Sequence, residues 1–217
     1  MAKIVIYGTG LIAEMAHFYF VHDSSHEVVA FTNSTDFIKN KTFHGLPVVP
    51  FEDLGEKTFS PEEVSLFIAI GYAKRNKIRE TRYLEAKAKG YTLVTYLSSR
   101  AACFANSIGD NCFILENNVI QPFVNIGNNV TLWSGNHIGH HSSIMNHCFV
   151  SSHVVVSGVC TIKPNCFLGV NCTLRDNLII GARSIIGAGA LVLSNCPDDS
   201  IIIQKQSKTS NLNKDIS

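Results

Sequence analysis

Branched aliphatic residues occupy every sixth position along the second half of the chain: Ile108, Ile114, Ile120, Ile126, Leu132, Ile138, Ile144, Val150, Val156, Ile162, Leu168, Leu174, Ile180, Ile186 and Val192. No insertion breaks the series. A helix would space its apolar residues by three and four, and a half-buried strand by two. A period of six, rich in β-branched residues, predicts short strands joined by turns and wound into a solenoid. Three hexads close one triangular coil, so the series predicts roughly four to five coils of about eighteen residues. Two positions before each aliphatic the occupant is nearly always small (Asn106, Cys112, Asn118, Ser142, Cys148, Cys160, Cys166, Cys172, Ser184, Ala190), as a tight inward corner requires. Gly109, Gly127, Gly139, Gly169, Gly181 and Gly187 directly follow an aliphatic and are expected to be turn residues.

The first half has a different pattern. An apolar run at 3–7 enters Gly8-Thr9-Gly10-Leu11-Ile12-Ala13, a G-x-G-x-x-A turn, and a helix with Leu11, Met15, Phe18 and Tyr19 on one face is expected to follow. Further strands are predicted at 28–31, 64–70 and 91–97, with a basic helix from about Lys74 to Lys89 stopped by Gly90. Alternation of this kind predicts a small Rossmann-like α/β domain over 1–98, with a ligand site at the strand carboxyl ends, and the solenoid over 99–217. A glycine turn at a helix N-terminus can accept a pyrophosphate through backbone N–H groups. It can equally serve chain reversal alone. An NAD site would need an acidic residue after the second strand; Thr32-Asn33 stands there, which argues against NAD. The seven cations between Lys74 and Lys89 are expected to be mostly a solvated helix face, with one or two near Gly71 placed to meet a phosphate.

Composition narrows the function classes. Among 217 residues, 18 Lys and Arg balance 17 Asp and Glu for a net charge of +1, which offers no field for nucleic acid or anionic membrane. No apolar run is long enough to span a bilayer, and the N-terminus lacks a signal-peptide core. A soluble cytoplasmic protein with reduced thiols is expected. Six of the seven cysteines fall in the small-residue register, and no C-x-x-C occurs, so they read as compact buried hydrophobes.

Five of the nine histidines lie between 137 and 153. His141, His147 and His153 share one hexad position and so point apart around the prism, which excludes a single-chain metal site; His147 and His153 read as surface corners. His140 differs. One coil later its place is held by Gly158, so its imidazole faces a position with no side chain and exposed backbone N–H groups, as acyl transfer requires.

The hexad series resembles that of the hexapeptide-repeat proteins, whose left-handed parallel β-helices are mostly trimeric acyltransferases. The two halves together resemble the bacterial sugar-nucleotide acyltransferases of the sialic acid O-acetyltransferase-like family. The resemblance implies transfer of acetyl from acetyl-CoA to the amino group of a nucleotide-linked amino sugar, without a metal, by a homotrimer serving surface polysaccharide or O-antigen synthesis. It implies His140 as general base with the Gly158 amide beside the thioester. The coenzyme channel would be Gly158, Gly169, Val170, Gly187, Ala188 and Gly189 with Lys205. The sugar nucleotide would meet Gly8, Thr9, Gly10, Thr32, Asn33 and Gly71. Three departures stand out: His141 replaces the carboxylate that follows the base, Thr32-Asn33 replaces an acidic pair, and Gln204-Lys205-Gln206-Ser207 replaces a Gly-x-Pro-Ala segment. Alternatives remain open: O-acetylation of a sialic-acid-like sugar, a trimeric zinc hydratase of the carbonic-anhydrase type, and a non-catalytic solenoid scaffold.

Overall fold

The computed structural model describes residues 2–55 and 57–204. The first apolar run becomes β1 (Lys3–Tyr7), followed by α1 (Leu11–His22), β2 (Glu27–Asn33), β3 (Thr42–Phe43), β4 (Leu46–Pro50), β5 (Ser65–Ile68) and α2 (Lys77–Ala88). The sheet order is β3-β4-β2-β1-β5. β1 runs parallel to both β2 and β5, β2 runs parallel to β4, and only β3 is antiparallel.

Several expectations need correction here. The helix α1 buries Ala13, Ala16 and Phe20, whereas Leu11 (79 % exposed) and Phe18 point outward. Small residues let the helix lie close on the sheet, and of its bulky apolar residues only Phe20 is fully buried there. The β3–β4 pair was not foreseen, because its His44-Gly45 turn and Pro47 interrupt any apolar alternation. α2 starts at Lys77 rather than Lys74: Lys74, Arg75 and Asn76 all take left-handed conformations, at φ 49°, 53° and 64°. Of the strand predicted at 91–97, Leu93 makes only a bridge to Leu66, and Tyr96–Leu97 joins the solenoid.

The solenoid has three faces of parallel two-residue strands. The first face stacks seven strands from Tyr96–Leu97 to Ile201–Ile202, the second six from Ala102–Cys103 to Leu191–Val192, and the third five from Ser107–Ile108 to Ile179–Ile180. These make about six coils, more than the hexad series predicts. The series misses the first coil because the step from Cys103 to Ile108 is five residues, as the pairings Cys103↔Ile120 and Ile108↔Ile126 record. The stepped aliphatics and the small corner residues, cysteines included, form one continuous buried core. Burial pushes the Cys112 and Cys172 thiols up to about 12, so these side chains remain neutral hydrophobes.

The glycines after the aliphatics are not the turn-makers. The left-handed residue of each corner comes two positions later, at Asn111, Asn117, Asn129, His141, His147, His153, Asn165, Asn171 and Asn177 among others. Asn and His tolerate that conformation better than most residues. The glycines serve close approach instead: a Cβ at Gly139 would stand 2.6 Å from the Gly158 nitrogen in the next coil.

The two units meet along the first face. Phe67 packs edge-on against Phe113, and Tyr72 against Phe149 and Phe167. Arg79, expected on a solvated face, is instead buried at 1 % exposure. Its Nη1 donates to Gly71 O and Asn76 Oδ1, and its Nη2 to the carbonyls of Asn129, His147 and Cys148. No carboxylate pairs with it among the described residues. Burial lowers its pKa to about 10, and the guanidinium stays charged among carbonyl dipoles.

Candidate functional site

The carboxyl ends of β1, β2 and β5 open into a cleft of ≈ 570 Å³ lined by Gly8, Thr9, Gly10, Asn33 and Gly71 together with Phe37, Lys39, Asn40 and Phe43. Gly8 is required twice over. Its φ is +119°, and a Cβ there would stand 2.9 Å from Ala69 O. α1 begins with Gly10 as its cap and no capping side chain. Its first-turn N–H groups therefore lack side-chain partners, and an anion suits them. Lys39 is the only charged residue of the lining. Thr32, expected to contact substrate, is not part of the cleft: it is fully buried and its hydroxyl donates to Val49 O. The alternation of faces along β2 turns it into the sheet.

His140 and His141 occupy the corner after the second face. The His140 ring lies over Gly158, where a Cβ would come within 2.8 Å of both Cε1 and Nε2. Its Nδ1 is 3.1 Å from His141 Nδ1, and its backbone N–H donates to Gln121 Oε1. His141 in turn packs tilted against Phe123, with ring centroids 4.6 Å apart. The Gly158 N–H has no acceptor among the described residues. Val159, next along, holds φ +60°, an outlier for a β-branched residue, and its N–H donates to His140 O. Sequence reasoning missed Gln121 and Phe123, whose only signal is that they lie one coil before the histidines.

Gly169, Val170, Gly187, Ala188 and Gly189 lie together on another corner, the one after the first face. Gly189 N–H donates to Val170 O, and a Cβ on Gly169 would meet the Ala188 nitrogen at 2.6 Å. One chain does not unite this corner with His140. Lys205 lies outside the described residues.

His147 is not a surface corner. At 8 % exposure it ends a buried ladder in which Asn111 Nδ2 donates to Asn129 Oδ1 and Asn129 Nδ2 bonds His147 Nδ1. Asn111 Oδ1 also receives the Ile68 N–H, so the ladder runs from β5 into the solenoid. α2 covers this corner, which a one-chain periodicity cannot reveal. Burial is the main cause lowering the His147 pKa; Arg79 and Lys77 push the same way, against Glu80 and Asp110. Among the described residues, no group of three His, Cys, Asp or Glu side chains is placed to hold a metal ion, and no helix is long and apolar enough to cross a membrane.

The solenoid is a left-handed parallel β-helix of hexapeptide repeats: the model of the bacterial transferase hexapeptide family (six repeats) matches residues 107–140 and 160–194. No functionally curated protein matches the sequence. Among solved structures, the chain is similar to a perosamine N-acetyltransferase from Caulobacter crescentus, with a TM-score of 0.82, 23% identity and 93% of each chain covered. It is also similar to WeeI from Acinetobacter baumannii AYE (TM-score 0.69, 18% identity, 93% of this chain and 96% of that one). A third is the acetyltransferase domain of PglB from Neisseria gonorrhoeae FA1090 (TM-score 0.59, 19% identity, 93% and 96%). These likenesses span both units, so the α/β domain followed by the β-helix is the shared fold.

Proposed function

We propose that this protein is an acetyl-CoA-dependent N-acetyltransferase acting on a nucleotide-linked amino sugar. It works as a homotrimer in the cytoplasm and supplies acetylated sugar for surface polysaccharide or glycan synthesis. The observation that carries the reading is the His140 ring lying over Gly158 with its Nδ1 against His141 Nδ1. One proton shared by those two nitrogens leaves His140 Nε2 as an acceptor over the groove when the proton sits on His140. Acetyl-CoA, when bound, supplies an activated acetyl group. His140 Nε2 takes the proton from the sugar amine as the new C–N bond forms and the thioester C–S bond breaks, and the free Gly158 N–H donates to the acetyl oxygen. The proton passes from His140 to the departing thiolate, which releases CoA. The cysteines of the inward register take no part, since they are buried in the core away from the groove. The sugar's diphosphate lies at the Gly8–Gly10 turn, and Gly169, Val170, Gly187, Ala188 and Gly189 line the coenzyme channel.

Support comes from the solved relatives: the Caulobacter enzyme was captured with CoA and GDP-perosamine in variants replacing one histidine, and the Neisseria domain with acetyl coenzyme A. The test is acetyl transfer from labelled acetyl-CoA to 4-amino sugar nucleotides and to their 4-hydroxy counterparts. Acetylation of the amine alone is expected. Transfer to the hydroxyl sugar instead, or no acetyl-CoA binding by calorimetry, would overturn the reading.

A further inference from the structure

We propose that Phe37 is the stacking platform for the base of the sugar nucleotide. The proposal rests on the α/β cleft being the nucleotide site, and it deepens that reading by giving the base its place. Two phenylalanines line the cleft. Phe43 is half-buried and sets its ring edge-on against Phe31 and His44. Phe37 is 64 % exposed and meets no other ring among the described residues. An aromatic face left open to water inside a concave site forgoes the burial that such rings usually gain, and a planar ligand ring restores it.

The backbone that carries this ring is held in place. Thr35–Phe37 forms a single 3₁₀ turn beyond β2. The N–H groups of Phe37 and Ile38 donate to Ser34 O and Thr35 O. Ser34 Oγ bonds Tyr7 OH, and both the N–H and the hydroxyl of Thr35 donate to Glu52 Oε2. The side chain is open while its support is tied down, so a stacking partner meets a ring already in position. The order of groups along the cleft says which part of the ligand that partner is. A diphosphate suits the Gly8–Gly10 turn at the start of α1. Asn33 Nδ2 donates to Thr9 Oγ1 at 3.2 Å, which sets the tip of β2, where the ribose lies in this fold, beside that turn. Phe37 follows four residues beyond the tip on the same lining, as the base follows the ribose. Every base has a π face, so Phe37 supplies affinity for the nucleotide and not a choice among bases.

The decisive experiment is calorimetric titration of the full chain, Phe37→Ala and Phe37→Leu with UDP, GDP, dTDP, inorganic pyrophosphate and acetyl-CoA. Phe37→Ala is expected to bind each nucleotide that the wild type binds roughly 5- to 150-fold more weakly, the loss of one base–aromatic stack. Phe37→Leu keeps apolar bulk without a π face and should fall between the two. Pyrophosphate brings a diphosphate without a base, and acetyl-CoA belongs to another corner, so both should bind all three proteins alike. Unchanged nucleotide affinity in Phe37→Ala overturns the proposal while leaving the cleft a nucleotide site. Wild-type nucleotide affinity in Phe37→Leu overturns the stack, and this variant decides alone if Phe37→Ala does not fold by circular dichroism. An equal loss for pyrophosphate would make Phe37 a support of the glycine turn, and a loss for acetyl-CoA alone would give the ring to the coenzyme; either overturns the proposal. Failure of all three nucleotides to bind the wild type overturns it together with the nucleotide reading of the cleft.

Discussion

His140 meets a nitrogen of His141 where a carboxylate orienter would offer a fixed negative charge, so orientation here depends on one shared proton. The two rings are nearly perpendicular, and Phe123 holds His141 from the other side, so the pair is fixed by packing as well as by the bond. His140→Ala is expected to lower kcat by about 10²–10⁴-fold with little change in KM for either substrate, the loss of a general base. His141→Ala removes one neutral hydrogen bond and should cost only about 2- to 10-fold in kcat. Steady-state kinetics on both variants checks this; equal losses would make His141 the base instead. His147 has a different task. It ends the Asn111–Asn129 ladder beside Arg79, and burial holds its pKa below the ordinary value of 6.5. The unfolded chain then binds a proton that the folded chain resists. The stability is fully present above pH 6.5 and is lost as pH falls through the lowered value. Thermal melts from pH 8 down to 5 should show the wild type losing Tm more steeply than His147→Gln. Parallel curves would sink the assignment. His17, also lowered chiefly by burial, adds a background of the same sign in both proteins.

At the scale of elements, α2 and the loop before it are bolted to the solenoid by a cation with no carboxylate partner among the described residues. Arg79 reaches five oxygens, and Asn76 adds bonds to the carbonyls of Asn165 and Cys166. Arg79→Met fills similar space but leaves those acceptors short of a donor, and should destabilise by roughly 2–4 kcal/mol in denaturant unfolding. Arg79→Lys should recover only part of it, since a single ammonium cannot span the fork. A change within about 0.5 kcal/mol for Arg79→Met would show the seam to be held by Tyr72 and Phe113 packing alone. This residue also marks what the sequence conceals. The solenoid was legible because one register repeats through Ile108–Val192, and every inward aliphatic from Ile114 on is buried, with Ile108 partly so. Arg79 was not, because nothing local separates it from Arg75 or Arg82. Its burial depends on carbonyls fifty or more residues away. The inner face of α1 escaped for a related reason: Ala13 and Ala16 are chosen by the closeness of the sheet, not by hydrophobicity. At the site, His140 over Gly158 could be read from the eighteen-residue coil alone. Gln121 and Phe123 could not, since their roles depend on side-chain directions across coils.

In the whole molecule, the pieces of the proposed site are spread over two corners of the prism. His140 and Gly158 follow the second face, whereas Gly169 and Gly187 follow the first. The second face and its corners also expose Val119, Phe123, Val155, Val159 and Leu191, apolar residues that a neighbouring chain would cover. In the proposed homotrimer, a heterologous contact closing by threefold rotation would set the His140 corner of one chain against the glycine corner of the next. Subunit mixing separates this arrangement from a site within one chain. His140→Ala removes the base, while Ala188→Trp places a large side chain on an exposed position of the glycine corner and should block the coenzyme. Each homotrimer should be nearly inactive. If the two are unfolded together in equal amounts and refolded, a site needs an intact His140 from one chain and an intact glycine corner from its neighbour. Random assembly then restores about one quarter of wild-type activity per site. Circular dichroism and sedimentation of each homotrimer confirm that neither substitution prevents assembly. Recovery near one quarter supports a site shared between chains. No recovery from well-folded mixed trimers would mean that a single chain supplies both corners, and the shared-site arrangement would fall.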